Sequence, residues 1–259
     1  MEHERDPDRL LALLQTERWG RSLVWLPSTA STMDEAQTAA NNGAPDGHVV
    51  LADRQTRGRG AHGRSWDSPE GTDLYFSVVT RTALPASASA LLTLAVGLGV
   101  RDTVAALTPS RKVQIKWPND IWIDGLKCGG ILVESRTVGS RLEAVIVGVG
   151  LNVNRTEWPE ELQDSATSIR TQSEAQGELD RGSVLVALLS NLERWVDRLV
   201  EAGPDVIVEA LRSELALLGR PVTCEGVHGV FSGVVDDGAA LVQTSEGLRA
   251  LHAGQLRPA

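Results

Sequence analysis

After Gly219 the chain changes character. Up to that glycine, strand-like apolar runs alternate with helical stretches. Beyond Arg220 only short β-like pieces remain, Val222–Cys224, Gly229–Val235, Ala240–Thr244 and Leu248–Leu251, punctuated by Asp237-Gly238 and Glu246-Gly247. The first pattern calls for a sheet with helices packed on it, and the second for a small all-β unit. A chain of 259 residues suits one large domain and one small one. The expected class is therefore α/β (α+β) for the larger part, followed by a small all-β domain.

Within the larger part, leucines 10, 11, 13 and 14 fit a short helix, and Thr32 with Glu35 forms a capping-box pattern ahead of the alanines at 36, 39 and 40, with Gly43 as the stop. Strands are expected at His48–Ala52, Leu74–Thr80, Val113–Trp117 and Leu142–Val149, and an apolar helix over Ser87–Leu107. Asp124-Gly125 lies between Ile121-Trp122-Ile123 and Leu126–Val133, the signature of a two-residue hairpin turn. Positions 184, 185, 188, 189, 192, 195, 196 and 199 mark one face of a helix over Ser183–Ala202, and a second helix is expected from Pro204 to Leu218.

Charge narrows the function. With 34 acidic residues against 25 Lys and Arg the net charge is -9, so the surface as a whole repels nucleic-acid backbones and acidic membranes, and any anion site must be local. Met1–Arg9 carries no apolar signal core, and no apolar run is read as reaching the roughly 18 residues of a membrane span; a cytoplasmic protein is expected. Cys128 and Cys224 lack ligand-like spacing and read as reduced thiols. Histidines 3, 48, 62, 228 and 252 are scattered, so no transition-metal site is expected.

Four clusters carry chemistry. In Gln55-Thr56-Arg57-Gly58-Arg59-Gly60-Ala61-His62-Gly63-Arg64-Ser65-Trp66, glycines 58, 60 and 63 permit close approach and positive φ, arginines 57, 59 and 64 can neutralise phosphate or carboxylate, and Trp66 offers a stacking face. The bland reading is a solvated basic turn or a sticky patch for RNA. In Lys116-Trp117-Pro118-Asn119-Asp120 the proline should free Asn119 and Asp120 from the sheet; Lys116 can hold a phosphate, and Asp120 either ligates magnesium or orients an amine. Lys127-Cys128-Gly129-Gly130-Ile131 returns along the hairpin and brings a cation back toward Asp120. In Val147-Gly148-Val149-Gly150-Leu151-Asn152 the glycines leave one strand face bare, either a floor for a compact ring or the mark of a bulge or tight packing.

Taken in this order and spacing, the four clusters resemble the biotin protein ligase family, from about Trp25 to the end of the chain. The resemblance implies a mixed sheet flanked by helices, similar to the core of class II aminoacyl-tRNA synthetases, in a catalytic domain at 1–212, followed by a small SH3-like barrel at 213–259. It implies that Ser31, Thr32, Gln55, Gly58, Arg59, Lys127, Gly130, Ile131, Gly148 and Gly150 contact biotin. Arg57, Arg64, Trp66, Lys116, Asn119 and Asn152 are implied to bind ATP. Lys127, Arg59 and Asp120 are the implied catalytic residues, with Asp120 receiving the acceptor lysine or Mg2+.

The implied reaction is formation of biotinyl-adenylate from biotin and ATP, followed by transfer of biotin to a lysine of a carrier domain of acetyl-CoA carboxylase or a related carboxylase. The monofunctional type is expected, without the N-terminal DNA-binding domain of bifunctional members, so neither DNA nor membrane partners are expected; a homodimer is left open. Ala61 stands where many members carry another arginine, for which a leakier hold on the adenylate is expected, and Met33 replaces the asparagine common after Ser-Thr. Two other readings stand beside this one: a lipoate or octanoate ligase of the same superfamily, and a biotin-responsive regulator that binds nucleic acid.

Overall fold

The computed structural model describes residues 6–82, 84–138 and 141–259; Met1–Arg5, the charged start of the chain, lie outside the described residues. In chain order the elements are α1 (Pro7–Leu13), β1 (Leu23–Leu26), α2 (Thr32–Asn41), β2 (His48–Ala52), β3 (Leu74–Thr80), α3 (Ser89–Leu107), β4 (Val113–Lys116), β5 (Asp120–Ile123), β6 (Leu126–Val138), β7 (Arg141–Leu151), α4 (Ile169–Gln172), α5 (Arg181–Ala202) and α6 (Pro204–Leu211). They continue with β8 (Pro221–Cys224), β9 (Val227–Val234), β10 (Ala240–Thr244), β11 (Gly247–Leu251) and β12 (Arg257–Pro258).

Seven strands form one mixed sheet in the order β1-β2-β3-β7-β6-β5-β4, in which only β1 and β2 run parallel. Side-chain alternation on β7 divides the interior in two. Val145, Val147, Val149 and Leu151 join the main core beneath α3 and α5. Ala144 and Ile146 face the other way and pack with Met33, Ala36 and Ala40 of α2. Helices therefore cover both faces of the sheet. Gly148 and Gly150 continue the α2 side of β7, and there the helical cover gives way to a cavity.

By length and composition the Ala86–Leu107 stretch is apolar enough to cross a membrane, contrary to the expectation from the sequence; most of it is buried inside the fold. Contact with the sheet on one side and α5 on the other explains a helix that is apolar nearly all round. The expected helix over Pro204–Leu218 stops at Leu211. The residues after it pair instead with the edge strand β4, where Ile115 N donates to Glu214 O at 2.8 Å and Ala216 N to Ile115 O at 2.8 Å. A strand edge that would otherwise be open is thereby satisfied, at the expense of helix.

The Thr32/Glu35 capping box does not form. Ser31 is the N-cap, Thr32 Oγ1 bonds Gln55 Oε1 at 3.2 Å and Ser77 Oγ at 2.9 Å, and Glu35 accepts from Thr29 Oγ1 at 2.7 Å. Partners across the sheet outcompete the local ones.

The second sheet, β11-β10-β9-β8-β12, is antiparallel throughout. It docks on the first through Trp117, whose Nε1 donates to Gly238 O at 2.9 Å, and through the close approach of Gly238 to Ala90 and Leu91.

Candidate active site

A cavity of about 420 Å3 opens on the α2 side of the sheet. Thr32, Gln55, Arg59, Arg64, Trp66, Lys116, Asn119, Asp120, Lys127, Gly130, Ile131, Gly148, Gly150 and Asn152 line it, so residues far apart in sequence converge. Ser31, Arg57 and Gly58 do not line it.

Gln55 organises one end. Its Oε1 accepts from Thr32 N at 2.9 Å, and its Nε2 donates to Ser68 Oγ at 3.0 Å, tying the start of α2 to the segment after the Gly-Arg loop. Gly58 is buried because a Cβ there would collide with Trp66 O and come within 2.8 Å of Ser68 Oγ; it serves packing inside the protein rather than approach to a ligand. Of the loop glycines expected to use positive φ, Gly63 does so at +71°, whereas Gly60 is extended at -118°. Arg59 does not present a lone cation. Its guanidinium bonds Glu134 at 2.8 and 3.1 Å and pairs with Asp34 at 3.0 Å.

The glycine floor is not bare. A Cβ on Gly148 would lie 2.5 Å from Met33 Sδ, and one on Gly150 2.5 Å from Trp66 Cε2, so those two side chains already lie against the strand backbone. Trp66 also lies against Gly130, and Lys127 Nζ stands 5.1 Å from its ring centroid. Ser31 Oγ, Trp66 Nε1 and Asn119 Oδ1 are buried without a hydrogen-bond partner among the described residues. Orphans of this kind are costly unless something else satisfies them, and two of the three belong to residues that line the cavity.

At the other end the Lys116–Asp120 segment is a tight turn joining β4 to β5, with a cis Trp117–Pro118 bond. Asp120 was expected to leave the sheet. Instead it opens β5 opposite Lys116 and is buried. Asn119 is held by Nδ2 donating to Ile131 O at 2.8 Å. The Asp124-Gly125 turn, with φ of 48° and 88°, returns β6 as expected, but β6 then takes an extra residue at Cys128 between its pairings with Trp122 and Ile121. That bulge, together with Lys127 N donating to Ser165 O at 2.8 Å, aims Lys127 at Asp120. Lys127 Nζ lies 2.6 Å from Asp120 Oδ1, and Lys116 Nζ 4.0 Å from Asp120 Oδ2.

Lys116 is held below the ordinary lysine value chiefly by burial; Asp120 pulls it up, and Lys127, Arg64 and Arg257 push it down. One paired carboxylate among four cations does not fit a protein-held magnesium site. Among the described residues no group of three or more His, Cys, Asp or Glu gathers to hold a metal ion. Both cysteines are free and buried, and burial raises their thiols above the ordinary range.

Sequence reasoning missed several lining residues: Trp122, whose ring centroid lies 4.9 Å from Lys116 Nζ; Trp158, with Arg155 4.4 Å from its ring centroid; Met33 as a covering group; and Gln255 from the second sheet. Trp158 was visible as an aromatic shortly after Asn152. Gln255 had no local signal.

Residues 25–152 match the Biotin/lipoate A/B protein ligase family. The biotin--[acetyl-CoA-carboxylase] ligase of Paracoccus denitrificans is 33% identical over 89% of this chain and 98% of its own length. The chain belongs to this family of ligases. The corresponding ligase of Mycobacterium tuberculosis is 35% identical over 84% of this chain and 82% of that protein. The bifunctional ligase/repressor BirA of Bacillus spizizenii is 34% identical over 94% of this chain and 76% of that one. Among solved structures, the Aquifex aeolicus biotin protein ligase in complex with biotin and ATP superposes with a TM-score of 0.80 at 31% identity, covering 92% of this chain and all of that one.

Proposed function

We propose that the protein is an ATP-dependent biotin--[acetyl-CoA-carboxylase] ligase, which makes biotinyl-5'-AMP and passes biotin to a lysine of a biotin carboxyl carrier domain. The observation that carries this reading is the convergence of Lys116, Lys127 and Arg64 on a cavity that the β6–β7 glycines also line, in a chain of net charge -9. A neutral ring fits against the glycines, and a nucleotide's phosphates fit the cations.

In this reading biotin takes the end lined by Thr32, Gln55, Gly130, Ile131, Gly148 and Gly150, beside Ser31, Gly58 and Arg59. ATP takes Arg64, Trp66, Lys116, Asn119 and Asn152, with Arg57 at the rim. The biotin carboxylate attacks the α-phosphorus, pyrophosphate leaves, and Lys127 stabilises the charge that develops on the phosphate and the acyl oxygen. Asp120 then receives the incoming lysine amine. Magnesium comes with the nucleotide's phosphates rather than on a protein site. Arg59 must exchange Glu134 or Asp34 for the ligand, and Met33 and Trp66 set how deep the ring sits.

We also assign residues 1–212 to the catalytic unit and 213–259 to an SH3-like unit; the separate five-stranded sheet that begins at Pro221 supports a second unit, while residues 214–216 complete the edge of the first sheet. Biotin-dependent exchange of labelled pyrophosphate into ATP is the expected activity, with lipoate unable to replace biotin. Exchange driven by lipoate or octanoate would favour the other branch of the family.

A further inference from the structure

The second sheet sends one side chain into the cavity. Gln255, in the connection between β11 and β12, lines it. Gln255 Nε2 donates to Asp120 Oδ2 at 3.2 Å, and its Oε1 accepts from Arg64 Nη1 at 3.3 Å. One carboxamide thus ties together the Gly-Arg loop, the β4–β5 turn and the C-terminal sheet. The chemistry is selective. A carboxamide donates to a carboxylate and accepts from a guanidinium at once, whereas a carboxylate at this point would oppose Asp120 and an ammonium would oppose Arg64.

The backbone around it is fixed. Gly254 has φ +104°, and a Cβ there would lie 2.6 Å from Cys224 Sγ and 2.7 Å from Glu225 Cγ; Leu256, on the other side, is fully buried. The sheet that carries Gln255 is itself pinned by the Trp117–Gly238 bond, one residue beyond Lys116. With Oδ2 of Asp120 occupied by Gln255, Oδ1 is the oxygen that meets Lys127 at 2.6 Å, while Lys116 stays 4.0 Å away. Without that donor Lys127 alone would hold the carboxylate, leaving Oδ2 free to turn toward Lys116, and Arg64 would keep, among the described residues, its bond to Ala61 O at 3.2 Å within its own loop.

We infer that Gln255 is a positioning residue of the reaction, which sets the Asp120 carboxylate and the Arg64 guanidinium together and so makes the C-terminal sheet part of the active site. The inference rests on the ligase reading above, and the test separates the two. Wild-type protein is first assayed for biotin-dependent adenylate; its absence would sink the ligase reading. With adenylate formed, Gln255→Met keeps the length of the side chain and removes both hydrogen bonds, whereas Gln255→Glu keeps the acceptor for Arg64 and sets a carboxylate beside Asp120.

Both variants are expected to melt and to bind biotin as wild type does, because Gln255 is only half-buried. Gln255→Met should slow single-turnover adenylation or transfer about tenfold, in the range of coupling between groups in direct contact. Gln255→Glu should slow the same step at least as much, because it sets a carboxylate beside Asp120. In both variants the loss should lie in the rate of the step and not in the biotin concentration that half-saturates it. Wild-type rates in both variants would overturn the inference. So would rate losses that merely follow equal losses of biotin binding and melting temperature.

Discussion

Lys116 is 8% exposed and shares its surroundings with one carboxylate and three further cations. Its proton therefore leaves below the 10.5 of an ordinary lysine, with burial the largest cause. If the ammonium holds phosphate, kcat/KM for ATP, which reports on the free enzyme, falls along an alkaline limb set by this residue. Lys116→Arg, which stays charged, should move that limb to higher pH while retaining part of the activity. An unmoved limb would remove Lys116 from phosphate binding. The chemistry of the site was legible at this scale: arginines, lysines and glycines clustered in an acidic chain point to a local anion site without any structure. Met33 as a cover for the glycines and Gln255 were not legible, because each owes its place to a fold contact with residues remote in sequence.

Elements with one dominant local instruction follow the sequence. Strands β2 and β3 are short apolar runs between turn residues, and Asp124-Gly125 turns the hairpin with the positive φ values that such a pair tolerates. Where a remote partner competes, the local reading fails: α6 ends early because residues 214–216 complete the edge of β4, and Thr32 gives up its capping role for Gln55 and Ser77. Helix α5 shows a local signal and a remote partner acting together. Asp180 caps it by accepting from Ser183 N at 3.2 Å and also pairs with Arg9 of α1 at 2.7 Å. Burial works against the carboxylate, yet the Arg9 and Ser183 hydrogen bonds hold it below its ordinary 3.8. Asp180→Ala should therefore cost about 1–2 kcal/mol at neutral pH, mostly as a lost cap, since a pair that is only partly buried adds little. Because the folded-state value is depressed, this stabilisation is present above the ordinary carboxylate value and disappears as pH falls through the lowered one. Urea unfolding of both proteins at neutral and acid pH checks this, and equal midpoints at neutral pH would contradict it.

Across the whole molecule, the -9 net charge and the cationic end of the cavity divide the electrostatic labour. The surface disfavours bulk polyanions, while Lys116, Lys127 and Arg64 concentrate positive potential where a small anion is enclosed. The seven-stranded sheet supplies the glycine floor and the β4–β5–β6 turns, and the five-stranded sheet closes the cationic end through Gln255. The sequence marked the two units through the loss of helical periodicity after Gly219, but not the way they meet, because docking depends on shape rather than on pattern. The most direct measurement is intact-mass spectrometry of a biotin carboxyl carrier domain incubated with this protein, biotin and ATP. The account predicts a gain of one biotin on one lysine, requiring ATP and lost in Lys127→Ala; an unchanged mass, or a gain supported by lipoate in place of biotin, would contradict it.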